Sequence, residues 1–231
     1  MKKHPEFKGF SERSLAFLAG MRDNNNHEWY EEHKDEYVKY VQEPMKALSF
    51  ELSDAMLSVD EYFVTGGRTV SRIRRDTRFS KNKLPYKSVS WLVFKRPNKD
   101  WVSLPAFFFE LSPEGYVYGM GFYSAEPSTM KSFRNIIDTQ RNKFDEAVGF
   151  YYSDKSQPFT LGGDKYKRIL DASKDERIMD WYQRKNLYLT AERPVDSVLF
   201  NSSLAGTLLE DFFRLAPLYR LFLEASRTQA D

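Results

Sequence analysis

Between Arg68 and Lys87 the chain reads RTVSRIRRDTRFSKNKLPYK, eight Lys or Arg against one acid, Asp76. The local charge is +7 in a chain of net charge +2, which leaves about −5 for the rest. No other segment limits the fold as strongly. This stretch is where the function is expected to sit. Gathering like charges is unfavourable unless a bound anion, main-chain carbonyls or an acidic surface offsets it.

The elements on either side have different periods. Ser11 before Leu15, Leu18 and Met21 reads as the N-cap of a short amphipathic helix that ends at Asn24-Asn25-Asn26. Asn26 is a candidate cap for the next helix, which carries Trp29, His33, Tyr37, Tyr40 and Val41. Pro44 marks a kink or the first turn of a further helix, and Met45, Leu48, Leu52, Met56 and Val59 continue the helical spacing. Tyr62-Phe63-Val64 before Gly66-Gly67 reads as a strand and turn, followed after the basic segment by strands over 88–95, 101–111 and 116–123. The turn signals are Pro97-Asn98-Lys99-Asp100 and Pro113-Glu114-Gly115. Pro127 opens what the spacing of Met130, Phe133, Ile136, Ile137, Phe144 and Val148 predicts to be one long helix. The signal is weak over 149–182, 186–190 reads as one more strand, and Leu204, Leu208, Phe212 and Leu215 predict a last helix, bent or restarted at Pro217. The expected fold class is α+β: a meander of three or more antiparallel strands in mid-chain, flanked by N-terminal and C-terminal helices. One domain is expected over 1–231, helical over 11–59, sheet over about 60–123, helices and loops over 127–224 and a frayed tail over 225–231.

Composition narrows the class. At 41% hydrophobic and 16% aromatic residues, with 19 Phe and 14 Tyr, the chain can form a ring-rich core. It has no cysteine, which excludes disulfides, thiolate metal sites and Cys nucleophiles. The N-terminus lacks an apolar signal core, and no apolar run approaches the roughly 20 residues that span a bilayer. A cytoplasmic protein without membrane contact is expected.

Three readings of the basic segment stay open. Arg72, Arg75 and Arg78 recur every three residues, with Lys83 and Lys87 across a turn at 82–85. Guanidinium forks match phosphate and carboxylate oxygens, so the cluster reads as a site for a small anionic ligand. Alternatively it is a structural network in which arginines pair with Asp76 and with helix carboxylates. Nucleic acid is the least favoured partner, because the chain as a whole is near neutral; Phe79, Tyr86 and Trp91 could stack on bases but sit beside strands, where core packing is expected. Gly119 and Gly121 share one strand face, as the floor of a pocket or, in the preferred reading, as room for a large aromatic or a crossing helix; Glu110 is a possible acidic partner of the basic segment. His27 and Glu31 are i,i+4 neighbours, but the region is not HExxH and His27 and His33 are six apart, so neither a metal nor a cofactor is expected. GxSxG, GxxxxGK[ST] and GxGxxG are all absent.

The run Arg72-x-x-Arg75-Asp76-x-Arg78-Phe79-x-x-x-Lys83-x-Pro85-Tyr86-Lys87 resembles the signature of the bacterial and fungal proteins grouped as domain of unknown function 2461. Asn24-Asn25-Asn26-x-Glu28-Trp29 is similar to that family's N-terminal element, and Gly119-x-Gly121-Phe122-Tyr123 to its glycine-rich strand. The chain departs from the family's Pro- and Gly-containing stretch after 165–170. The family is uncharacterised, so the resemblance implies membership and assigns no catalytic roles. The candidate ligand-binding residues are therefore Arg72, Arg75, Asp76, Arg78, Lys83 and Tyr86. If chemistry occurs there, the arginines and Lys83 would stabilise developing negative charge, and Asp76 or Tyr86 would transfer the proton.

Overall fold

A computed structural model describes residues 4–78, 80–97 and 101–227. Phe79 and the expected turn residues Asn98-Lys99-Asp100 lie outside the described residues, as do 228–231. The architecture is α+β. Helices α1 (Glu12–Asp23), α2 (His27–Glu32), α3 (Lys34–Glu36) and α4 (Glu43–Val59) come first, and α8 (Ser203–Arg227) comes last. Between them lie strands β1 (Ser90–Phe94), β2 (Pro105–Ser112), β3 (Gly115–Phe122), β4 (Thr160–Gly162) and β5 (Tyr188–Pro194), with helices α5 (Pro127–Thr139), α6 (Arg141–Ser153) and α7 (Glu176–Tyr182). The strands form one five-stranded antiparallel sheet in the order β1-β2-β3-β5-β4. The expected meander is β1-β2-β3, and the strand expected at 186–190 is β5. β4 pairs with it in the register Thr160↔Thr190, Leu161↔Leu189, Gly162↔Tyr188. Among the described residues no helix is long and apolar enough to cross a membrane.

The chain divides into two compact units, Met1–Phe94 with Phe108–Tyr118 and Glu192–Glu210, and Lys95–Phe107 with Gly119–Ala191 and Asp211–Asp231. In the first unit, one helical path runs from Lys34 to Val59 and widens to a π-helical turn at Tyr37–Gln42. Pro44 explains the widening. Its ring clashes with the carbonyl four residues back, and it has no N–H to give that carbonyl. The carbonyl of Tyr40 instead accepts from the buried Ser14 hydroxyl of α1 at 2.6 Å, which ties the two helices together at the kink. Farther along α4, Ser49 and Ser53 hold a short 3₁₀ turn, Gly66–Thr69. The Ser49 hydroxyl donates to the Gly66 carbonyl at 2.9 Å, and the Gly66 N–H donates to the Ser53 hydroxyl at 3.1 Å. Gly66 has φ +67, and a Cβ there would come within 2.7 Å of the Phe50 ring, so only glycine fits. The strand expected at Tyr62–Val64 does not form. Asp60 accepts from the Tyr62 N–H at 3.0 Å and turns the chain, leaving Tyr62 exposed and only Phe63 in the core.

The second unit packs rings from four helices. Phe133 of α5 meets Phe144 of α6 edge-on at 6.0 Å and Phe222 of α8 at 5.4 Å; Phe144 in turn meets Trp181 of α7 at 5.8 Å. The first contact shows why the long helix predicted from residue 127 is two. Eleven residues of continuous helix would put Phe133 and Phe144 about 16 Å apart along the axis. The chain breaks at Gln140, φ −129 and ψ 47, inside the polar run Asp138–Lys143. Helix α8, by contrast, continues through Pro217 to Arg227, so residues 225–227, expected in a frayed tail, are helical. Gly119 and Gly121 make close approaches to main chain: a Cβ on Gly119 would lie 1.9 Å from the Leu189 carbonyl oxygen, and one on Gly121 2.4 Å from the Tyr188 Cα. The neighbour is therefore β5 itself, in place of the aromatic or crossing helix expected.

The stretch with weak sequence signal is held by two adjacent side chains. Gln183 donates from Nε2 to the Tyr166 carbonyl at 2.8 Å and accepts from the Leu170 N–H at 3.1 Å. The buried Arg184 donates to the Gly163 carbonyl at 2.7 Å, to the Asp180 carbonyl at 2.9 Å and to the Asp180 carboxylate at 3.0 Å. Arg184→Ala should lower unfolding free energy by about 1–3 kcal/mol, since it removes the buried guanidinium's bonds to Gly163 and Asp180. Arg184→Lys should recover only part of that, because an ammonium cannot reproduce the fork. Chemical denaturation reads both, and a loss below about 1 kcal/mol for the alanine variant contradicts the assignment.

Candidate functional site

The basic segment lies wholly in the first unit and is anchored at its base to β1. Val70 bridges Leu92, the Ser71 N–H donates to the Trp91 carbonyl at 2.8 Å, and the Trp91 N–H donates to the Ser71 hydroxyl at 3.3 Å. Beyond that the chain makes a narrow hairpin. The Arg75 N–H donates to the Pro85 carbonyl and the Lys87 N–H to the Ile73 carbonyl, both at 2.9 Å, with Arg74 opposite Tyr86. Ile73 points into the core. At the tip, Asn82 accepts from the Leu84 N–H at 3.0 Å and Lys83 donates to the Thr77 carbonyl at 2.9 Å.

Main-chain groups alternate along an extended arm, so Tyr86 presents its N–H and C=O to the side away from Arg74. Asn25 takes both. Its Oδ1 accepts from the Tyr86 N–H at 3.0 Å, and its Nδ2 donates to the Tyr86 carbonyl at 3.1 Å. The side-chain amide thus completes the free edge of the arm as a neighbouring strand would. The other two asparagines of the triplet terminate helices: Asn24 donates to the Gly20 carbonyl at the end of α1, and Asn26 accepts from the Trp29 N–H at the start of α2, at 2.9 Å. Close capping on both sides is what holds Asn25 at the junction.

The Tyr86 ring is 2% exposed, stacks on Tyr30 at 4.6 Å, and has the Arg74 guanidinium 5.7 Å from its centroid. Its hydroxyl is 3.0 Å from His27 Nδ1. His27 also lies 3.8 Å from Glu31, and no cluster of three or more metal-ligating side chains occurs among the described residues. His33 stacks on Trp29 at 4.1 Å, with Nδ1 on the Trp29 carbonyl at the end of α2.

The charges sort into two groups. Asp76 and Arg78 form an exposed fork, Nε to Oδ1 at 2.9 Å and Nη2 to Oδ2 at 2.6 Å, with the Arg78 N–H also on Oδ1 at 3.2 Å. These bonds from Arg78 hold the Asp76 carboxyl down to about 2. Arg72 and Arg75 carry no side-chain hydrogen bond or ion pair among the described residues. Half-buried Lys87 belongs with them. Its ammonium donates to the Arg72 carbonyl and lies 4.2 Å from the Trp91 ring centroid. Burial pushes the Lys87 pKa down, and the charges of Arg72 and Arg75 push it further. Glu110 of β2, whose carboxyl is pushed up by burial, makes no ion pair with these cations among the described residues.

The chain matches the family described as "Conserved hypothetical protein (DUF2461)" over residues 13–221. It belongs to that family. No curated protein matches it. Two stretches that carry the resemblance to DUF2461, the asparagine triplet and the basic hairpin, meet in space at Asn25 and Tyr86. Of the six candidates, Asp76 and Arg78 engage each other, Tyr86 is buried under the hairpin, Lys83 is on the tip, and Arg72 and Arg75 stand beside Lys87. Asn25 and Lys87 were not among those six. The triplet signalled the first, and the basic residue closing the motif signalled the second.

Asn25→Ala should lower stability by about 1–3 kcal/mol, because both main-chain groups of Tyr86 lose their partner. Asn25→Asp should not restore stability, since its second carboxylate oxygen would face the Tyr86 carbonyl where the Asn25 amide donates. Wild-type melts for either variant would contradict the two-bond account. For Asp76 the folded pKa is depressed. The fork's contribution is therefore complete above the unfolded-state value near 4 and is lost as pH falls through about 2. Carboxyl NMR should show Asp76 titrating near that value in the wild type and higher in Arg78→Ala, which loses both guanidinium bonds but keeps the main-chain N–H; a wild-type midpoint near 4 would exclude the fork in solution.

Proposed function

We propose that the hairpin binds a small anionic ligand bearing a phosphate or carboxylate, with Arg72, Arg75 and Lys87 as its cationic contacts. One observation carries this reading: the only acid of the segment is engaged by Arg78, while Arg72 and Arg75 make no ion pair among the described residues and add to the lowering of the Lys87 pKa by burial. Such a cluster is unfavourable in the empty state, and an anion between the guanidinium groups relieves it. The Asp76–Arg78 fork stiffens the tip beside the cluster. A structural role is better supported for Tyr86, whose ring is buried and whose hydroxyl and main-chain groups already have partners.

Calorimetry with inorganic phosphate and with simple di- and tricarboxylates tests the reading at two ionic strengths. Binding should weaken as salt rises and be lost in the Arg72→Ala/Arg75→Ala double variant, with the melting temperature little changed. Asp76→Asn releases Arg78 and should tighten phosphate binding. No binding in either anion class, or a double variant that only loses stability, would leave the hairpin a structural network.

A further inference from the structure

The second unit contains a cleft of about 700 Å³ whose lining comes entirely from that unit, so it is separate from the hairpin. The volume is that of a small-molecule site. The end of α6 gives it Tyr151 and Tyr152, and α7 gives it Met179. The Tyr152 hydroxyl accepts from Trp181 Nε1 at 2.8 Å and donates to the Arg177 carbonyl at 3.2 Å. Its ring is thereby held in one place and is still exposed. Tyr151 stands nearly perpendicular to it, with centroids 5.1 Å apart. Fixed, exposed ring surface beside a thioether is suited to a flat apolar group.

The charges at the cleft are unequally occupied. Lys165 lies 2.6 Å from the Asp180 carboxylate, and Lys174 lies 2.5 Å from Asp138 and 3.5 Å from Asp171. Both lysines are therefore neutralised. Arg177 differs from them. Its guanidinium carbon is 4.0 Å from the centroid of the Tyr152 ring, and it makes no hydrogen bond among the described residues. Its nearest carboxylate oxygen, Asp145 Oδ1, is 3.9 Å away, and Arg141 holds the other oxygen of Asp145 at 2.8 Å. A guanidinium placed over a ring uses its face, while its N–H donors point outward in its own plane and can still take a carboxylate as a fork. The remaining unpaired charge of the lining is Glu176, which has no ion pair among the described residues. One free cation beside one free acid favours a singly charged ligand and disfavours a phosphate dianion.

We propose that this cleft binds a planar aromatic monocarboxylate: the ring packs among Tyr151, Met179 and the exposed part of Tyr152, and the carboxylate takes the free edge of Arg177. The site is independent of the anion reading of the hairpin. 2-Naphthoate is the probe for the full chain, followed by calorimetry and by the NMR signal of the Met179 methyl group, assigned through Met179→Leu. Naphthoate should bind and shift that methyl signal, and should do so equally in Arg72→Ala/Arg75→Ala. 2-Naphthamide, the same ring without the charge, should bind about tenfold more weakly, the loss expected of one charge-assisted contact. In Arg177→Gln the acid and the amide should bind alike. Adenosine monophosphate should bind more weakly than naphthoate, and Glu176→Gln should narrow that difference. No shift at Met179, equal affinity of acid and amide in the wild type, tighter binding of the nucleotide, or a preference for the acid that survives Arg177→Gln overturns the proposal. The wild-type comparison of acid, amide and nucleotide decides the matter even if Arg177→Gln proves unstable.

Discussion

The reciprocal pair of hydrogen bonds between the Asn25 side chain and the Tyr86 main chain is the interaction on which the arrangement of the basic hairpin depends. A two-stranded hairpin is marginal in water unless something else holds it. Here the arms share only a few main-chain bonds, and Lys81, Lys83 and Leu84 at the tip are exposed. The base is fixed to β1 and, through the Gly66–Thr69 turn, to α4. Asn25 closes the remaining edge, and the Tyr86 ring fills the space below, against Tyr30. The helical junction and the hairpin are thereby one object. Asn24 and Asn26 place Asn25, Asn25 places Tyr86, and Tyr86 sets the register that puts Arg72, Arg75 and Lys87 together.

That register decides the electrostatics. Asp76 could in principle neutralise any of several arginines. The tip conformation gives it to Arg78, two residues on, through both side-chain and main-chain N–H groups. What remains is a cationic group around half-buried Lys87, whose ammonium meets an indole face and a main-chain carbonyl. Exposed pairs contribute little to stability. The importance of the fork is that it leaves Arg72 and Arg75 unoccupied. The anion reading grows from this division of charge.

Much of this was legible in the sequence, and the exceptions have physical causes. The helical start, the β1-β2-β3 meander, the inward row Phe107, Phe109 and Leu111, and Asn26 as a cap follow from period and local chemistry. The break between α5 and α6 was hidden because the seven-residue step from Ile137 to Phe144 suits a continuous helix as well as a turn between two. Residues 163–170 carry no periodic signal because side chains from Gln183 and Arg184 hold their backbone. In the site, the arginines were visible as a charge anomaly, but spacing alone could not tell which one Asp76 would take. The role of Asn25 was invisible for a simpler reason: its partner is 61 residues away and is a main chain, not a side chain.

Hydrogen exchange at individual amides tests the central claim most directly. In the wild type the N–H groups of Tyr86, Arg75 and Lys87 should be protected as one cooperative group. In Asn25→Ala they should all lose protection together, while the amides of α4 stay as slow as before. Unprotected Tyr86 in the wild type, or protection of Arg75 and Lys87 that survives the loss of Asn25, would contradict the account.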